Sequence, residues 1–226
     1  MKRVTRALRL VISAGPTREP IDPVRFLSNY STGYMGACLA AEALFRGHRV
    51  TVISGPGVEA VPPGARVIPV ERSQEMEAAL RRAAARADAI IMAAAVADFR
   101  PTRPNASKRP RRARLTLFLK ATPDIIGRLP RHPGQVVAGF ALETGPVPGV
   151  LQRAAKKLRA KRLDLVLAQQ TSPAQVPFGR RRVRAWLLAR DESIRQLGRC
   201  SKVEVARALL DKIEVLWYGQ SEPMKG

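Results

Sequence analysis

The residues of this chain best suited to chemistry on an anion lie between Ser13 and Gly36, in the stretch SAGPTREPIDPVRFLSNYSTGYMG. It separates an apolar run from an Ala-rich run of helical spacing. Open α/β sheets bind ligands at such places, where strands end and helices begin. Gly15 would let the backbone approach a ligand closely, and Ser28, Ser31, Thr32 and Gly33 offer hydroxyls and amides that could cradle a phosphate. Asn29 adds an uncharged amide that could donate to a carbonyl or phosphate oxygen without acting as a nucleophile. The stretch is not a Walker A loop, since Gly-Lys-Ser/Thr is missing, nor a dinucleotide fingerprint, since Gly-x-Gly-x-x-Gly is missing. On pattern alone, a capped helix start with small residues for close packing explains it better than a phosphate loop does.

The elements that must position this stretch follow from hydrophobic periodicity. LRLVIS (8–13) has strand length and stops at Ala-Gly-Pro, while MGACLAAEALFRG (35–47) has helical spacing and a stop at Gly47. HRVTVISGP (48–56) reads as a strand, SQEMEAALRRAAARA (73–87) as a helix capped by Ser73, and DAIIMAAAVADF (88–99) as a third buried strand. This alternation predicts an α/β, Rossmann-like three-layer fold with a mainly parallel sheet. Further on, LTLFLKATPDIIGRLP (115–130) predicts a strand, a turn and a short helix, and QVVAGFALE (135–143) a strand. PGVLQRAAKKLRAKR (148–162) predicts a helix, LDLVLAQQ (163–170) a strand, RVRAWLLARD (182–191) an exposed strand, and SKVEVARALLDKIEVLW (201–217) a closing helix. Residues 100–120 and 171–192 are expected to protrude as strand segments from a single domain spanning 1–226.

With 226 residues, 46% of them hydrophobic, the chain can bury a substantial core. No segment approaches the ~20 apolar residues of a membrane helix, and the first residues lack a signal peptide's apolar centre, so a cytoplasmic location is expected. Cys38 and Cys200 have no metal-ligand spacing and are expected to be reduced and without a catalytic role, and His48 and His132 are expected in loops or at the surface. Lys and Arg number 40 against 18 Asp and Glu, a net charge of +22 that attracts anions. The basic runs carry no interleaved aromatics to stack bases, which weighs against a nucleic-acid partner.

The opening stretch resembles the signature of phosphopantothenate-cysteine ligase, the synthetase half of the bifunctional coenzyme A biosynthesis proteins. AAAVADFRP (93–101), KATPDII (120–126), AGFALET (138–144), KLRAKRLDLVLA (157–168) and SKVEVARALLDKI (201–213) carry the same resemblance in the same order. It implies a two-step reaction. A nucleoside triphosphate, CTP in most bacterial members and ATP in eukaryotic ones, activates the carboxylate of 4'-phosphopantothenate as an acyl nucleotide with loss of pyrophosphate. The amine of L-cysteine then displaces the nucleotide monophosphate. The family uses Mg²⁺ and is typically a homodimer. The flavin-dependent decarboxylase half often fused to it is not seen here, so no flavin is expected and the decarboxylase would be a separate partner.

The resemblance carries residue roles with it. Asn29 matches the asparagine associated with the acyl-nucleotide intermediate. Lys108, Lys157 and Lys161 match lysines that bind the nucleotide, and a triphosphate needs such cations. Lys157 and Lys161 are four apart and would share one helix face; without the resemblance each would pass for a solvated surface lysine. Asp98, ending AVADF, could bind a ribose hydroxyl, a base amino group or a metal, and Met92, Ala93 and Ala94 before it would offer backbone to the nucleotide. Pro123 reads as a helix start whose following amides, of Asp124, Ile125 and Ile126, face the ligand. Phe140 matches an aromatic placed against the nucleotide, and a core phenylalanine is the plain alternative.

Three places depart from the family pattern. Tyr34 stands where a basic residue usually follows the loop glycine, Gln169-Gln170 replace Asn-Asp, and Arg180 to Arg182 follow Phe178-Gly179 where small and acidic residues are usual. Two other readings compete. An NAD(P)- or nucleotide-sugar-dependent enzyme predicts a glycine fingerprint after the first strand, which SAGPTREP lacks. A nucleic-acid-binding protein predicts salt-sensitive binding to arbitrary duplexes.

Overall fold

Apolar runs too short for helices become strands of one sheet, and the amphipathic runs between them cross over its faces. The computed structural model of the protein describes residues 6–58, 61–111, 114–174 and 176–221. In chain order these form β1 (Arg9–Ala14), β2 (Glu19–Pro20), β3 (Phe26–Leu27), α1 (Tyr34–Phe45), β4 (Arg49–Ser54) and β5 (Arg66–Pro69). Next come α2 (Ser73–Ala84), β6 (Ala89–Met92), β7 (Phe99–Pro101), β8 (Leu119–Ala121), α3 (Ile125–Arg128) and β9 (Val136–Thr144). Then follow α4 (Val147–Ala160), β10 (Leu165–Thr171), β11 (Val183–Ala189), β12 (Ile194–Cys200) and α5 (Lys202–Ser221).

Eight strands form one sheet in the order β12-β11-β10-β9-β6-β1-β4-β5. From β5 to β10 the pairs are parallel, and β11 and β12 add an antiparallel edge. The expected α/β architecture with a mainly parallel sheet is therefore the observed one. Alternate residues of each parallel strand point to opposite faces. Ile12, Val52, Ile91, Ala138 and Leu167 pack with Leu39 and Ala43 of α1 and Leu209 and Ile213 of α5. Val11, Ile53, Ile90, Val137 and Val166 pack with Met76 and Leu80 of α2 and Ala154 and Leu158 of α4. Each fully buried Leu or Ile contributes roughly 1.5–3 kcal/mol relative to exposure.

Several expectations need correction. Ser73 is the first helical residue, and Arg72 occupies the cap position. The Glu75 carboxylate accepts from the Glu71 and Arg72 amides at 2.8 and 3.4 Å, and the Ser73 amide donates to buried Glu19 at 2.8 Å. The third strand stops at Met92, and residues 93–98 leave the sheet as a loop. Residues 183–189 do not form an exposed strand: β12 pairs along β11, and Trp186, Leu187 and Leu188 are buried. β5 and β12 went unread. His48 is buried, with Nε2 2.8 Å from Glu214 Oε1 and Nδ1 accepting from the Leu8 amide at 3.3 Å. Cys38 and Cys200 are buried and not joined in a disulfide. Residues 112–113 of the first protruding segment and 175 of the second lie outside the described residues.

Candidate active site

A cavity of about 730 Å³ opens at the carboxyl edge of the sheet, where β1, β6, β9 and β10 end. This is the scale of small-molecule sites. Its lining joins the loop before α1, the 93–98 loop, the start of α3, the end of α4, the loop before β11 and the start of α5.

The loop between β1 and α1 is long because it is laced to the loop after β6. Pro16 forms a bridge with Ala95, the Ala95 amide donates to Gly15 O at 2.9 Å, and the Ala97 amide donates to Thr17 Oγ1 at 3.0 Å. Ser28 Oγ donates to Thr17 O at 2.8 Å. Gly15 has φ +81, and a Cβ there would lie 2.5 Å from Val58 Cγ2. Gly15 and Ser28 thus shape the loop, and neither lines the cavity. Ser31, Thr32 and Gly33 do line it. The Gly33 and Tyr34 amides donate to Ser31 Oγ and Thr32 Oγ1 at 3.3 and 3.4 Å as the chain turns into α1.

Asn29 also lines the cavity, but its amide is oriented otherwise than expected. Nδ2 donates to Ala95 O at 2.9 Å and to Val96 O at 3.2 Å, which uses both of its hydrogens. The group left for a ligand is the acceptor Oδ1. Met92, Ala93, Ala94 and Asp98 also line the cavity.

On the α2/α4 side of the sheet, Lys157 sits in the last turn of α4 and Lys161 at its C-cap, where the helix dipole favours cations. Both reach the cavity, as the i, i+4 spacing predicts. Lys157 Nζ donates to Phe140 O at 2.6 Å, and Lys161 Nζ to Asp124 Oδ1 at 2.9 Å. Burial, followed by the neighbouring charge of Lys161, pushes the Lys157 ammonium below the ordinary lysine value. Burial raises the Asp124 carboxyl, but the Lys161 hydrogen bond, the Gly127 amide and the lysine charges bring it below the ordinary range. Asp124 is the N-cap of α3, so Pro123 precedes the cap and does not start the helix. Pro123, Asp124, Ile125, Ile126 and Phe140 all contribute to the lining.

Lys108 is exposed and lies outside the cavity. Sequence reasoning missed Tyr30, Pro177, Phe178, Gly179 and Lys202, all in the lining. Gln169 and Tyr34, noted above only as departures, line it as well. Among the described residues, no group of three or more His, Cys, Asp or Glu could hold a metal ion, and no helix is long and apolar enough to cross a membrane.

A family model described as the DNA/pantothenate metabolism flavoprotein C-terminal domain matches residues 5–216. The coenzyme A biosynthesis bifunctional protein CoaBC of Bacillus subtilis (strain 168) is 40% identical over 210 residues, covering 92% of this chain and 51% of that protein. Its namesake in Escherichia coli (strain K12) is 40% identical over 172 residues, covering 73% and 41%. The chain thus spans about half the length, or less, of these relatives. Among solved structures, the C-terminal domain of CoaBC superposes with a TM-score of 0.77 at 32% identity, covering 95% of this chain and 97% of that one. A Cab2 mutant in complex with phosphopantothenate-cysteine shares the fold, with a TM-score of 0.75 at 15% identity over 95% of this chain and 89% of that one.

Proposed function

Because the chain belongs to the DNA/pantothenate metabolism flavoprotein C-terminal domain family, we propose that it is a phosphopantothenate-cysteine ligase. The observation that carries this reading is the single cavity that joins Asn29 on the laced loop to Lys157 and Lys161 on the opposite face of the sheet. In the first step a carboxylate oxygen of 4'-phosphopantothenate attacks the α-phosphorus of the nucleotide, and pyrophosphate leaves. Lys157 and Lys161 offset the negative charge on the phosphoryl oxygens. In the second step the cysteine nitrogen forms a bond to the acyl carbon, and the acyl–oxygen bond to the nucleotide breaks. Asn29 Oδ1 accepts from the attacking amine and aims its lone pair, while the Ala95 and Val96 carbonyls hold the amide in place. Being neutral, Asn29 offers no nucleophile to trap the intermediate.

CTP is proposed over ATP as the nucleotide. Mg²⁺ fits this lining in one way: it commonly binds substrate phosphates with one or two carboxylates, without an all-protein cage. Asp98 would be the protein ligand, since Asp124 is engaged by Lys161. Bound Mg²⁺ would supply charge neutralisation of the triphosphate. A cytoplasmic location, a single domain, a homodimer and a separate decarboxylase complete the proposal. Exposed Phe99 and Phe118 at the β7–β8 arm offer apolar surface for the dimer.

The test is pyrophosphate release from phosphopantothenate, cysteine and Mg²⁺ with CTP and with ATP. Folded protein inactive with both nucleotides refutes the ligase. Asn29→Asp loses the two amide donors; pyrophosphate release should persist while amide formation drops, and equal loss of both half-reactions contradicts the role given to Asn29.

A further inference from the structure

Two departures from the family pattern, distant in sequence, meet in space. The Arg180 guanidinium carbon lies 5.3 Å from the centroid of the Tyr34 ring, and Lys202 Nζ lies 5.8 Å from the same centroid. Both are within the ~6 Å at which a ring face attracts a cation. Lys202 is only 6% exposed and lines the cavity together with Tyr34, Phe178 and Gly179. Three segments therefore bring two positive charges to one aromatic ring: the start of α1, the loop before β11 and the start of α5. Positive charge gathered at one end of a cavity attracts anions.

We propose that Lys202 inside the cavity and exposed Arg180, which follows lining residue Gly179 at the cavity's rim, are positioned by Tyr34 as the anion-binding end for the 4'-phosphate of phosphopantothenate. The proposal rests on the ligase reading and deepens it. The choice of phosphate follows from the layout. The nucleotide's polyphosphate has Lys157 and Lys161 on the α2/α4 face of the sheet, whereas Tyr34 packs against the core on the α1/α5 face. Beside Tyr34 stand the hydroxyl-bearing Ser31 and Thr32 and the first turn of α1, which contains no acidic residue to oppose an anion. Tyr34 thus replaces the usual basic residue without loss of charge at the site. Its ring collects from elsewhere in the chain the cations that its own side chain lacks.

The experiment compares Arg180→Gln, Lys202→Gln, Tyr34→Leu and Tyr34→Phe in two assays, steady-state kinetics and calorimetric binding of inorganic phosphate. Arg180→Gln, Lys202→Gln and Tyr34→Leu should raise the KM for phosphopantothenate about tenfold or more. The KM for nucleotide should stay within about twofold of wild type. Tyr34→Phe keeps the ring face and should behave as wild type. Arg180 is exposed, so its variant should fold even if the buried Lys202 variant does not. The proposal falls if the nucleotide KM rises instead, or if Tyr34→Leu and Tyr34→Phe behave alike. Phosphate binding needs no turnover, which separates the two readings. An inactive wild type whose phosphate binding weakens in Arg180→Gln counts against the ligase only, and phosphate binding unchanged in Arg180→Gln overturns the inference.

Discussion

The two cationic ends of the cavity are built in different ways. On the α2/α4 face, Lys157 and Lys161 come from one helix end, and each has a fixed polar partner, Phe140 O and Asp124. On the α1/α5 face, Arg180 and Lys202 come from separate segments and are gathered by the ring of Tyr34. The first arrangement fixes charge by hydrogen bonds of defined direction, which suits a phosphoryl centre that must be held in line for attack. The second uses a less directional attraction, which suits an end group that has only to be anchored.

The largest expected effect comes from removing the better-fixed charge. Lys157→Ala should lower kcat/KM for the nucleotide about 100-fold, some 2.7 kcal/mol of transition-state stabilisation, and leave the KM for phosphopantothenate within about twofold. The double variant Lys157→Ala/Lys202→Gln then tests the independence of the two ends. Sites without shared partners lose binding energy additively, so the fold-losses should multiply. A double variant no worse than Lys157→Ala alone would show that both lysines serve one ligand group, and the division between the faces would fail.

A smaller effect separates the ends by pH. Burial and Lys161 hold the Lys157 pKa below the ordinary lysine value, so the folded state binds its proton less firmly than the unfolded chain does. The protonated form therefore costs stability at neutral pH, and that cost shrinks as pH rises past the lowered pKa and is gone above the ordinary lysine value. Nucleotide binding needs the charge and should weaken over the same rise. The alkaline fall in kcat/KM for the nucleotide should begin below the ordinary lysine range. Lys157→Arg keeps its charge to higher pH and should move that fall upward. An unchanged profile would mean that another group sets the limb.

The same contrast accounts for what the sequence could and could not disclose. Lys157 and Lys161 were legible because helical spacing alone puts them on one face, and the sheet was legible because its parallel strands are continuous apolar runs. Lys202 was not, because SKVEV looks like any capped helix start. Its place in the cavity depends on α5 packing on α1 after the chain has added β11 and β12. β5 was missed because RVIP is only four residues long and ends in proline, and β12 because IRQLGRC is largely polar, as edge strands are when one side faces solvent. β11 was misjudged as exposed because Arg182 and Arg184 imitate alternation, although β12 and the helices cover it. The run 93–98 looked like strand because periodicity does not distinguish a buried strand from an Ala-rich loop pinned over a site. Asn29 was found through the resemblance, but the orientation of its amide was not, since that is set by two carbonyls more than sixty residues away.

Lys108 gives the finest test of the two-ended cavity. The resemblance assigns it to the nucleotide, yet the structure places it exposed on the loop between β7 and β8, outside the lining. If Lys157 and Lys161 suffice for the polyphosphate, an exposed and solvent-screened charge outside the lining adds little. Lys108→Gln should then change the KM for nucleotide less than about twofold, and raising the salt concentration should shrink even that difference. A tenfold rise in nucleotide KM, unaffected by salt, would mean that the loop folds over the bound nucleotide and brings Lys108 into contact. The α2/α4 end would then also be assembled from distant segments, and the contrast between the two ends would narrow to the directionality of their bonds.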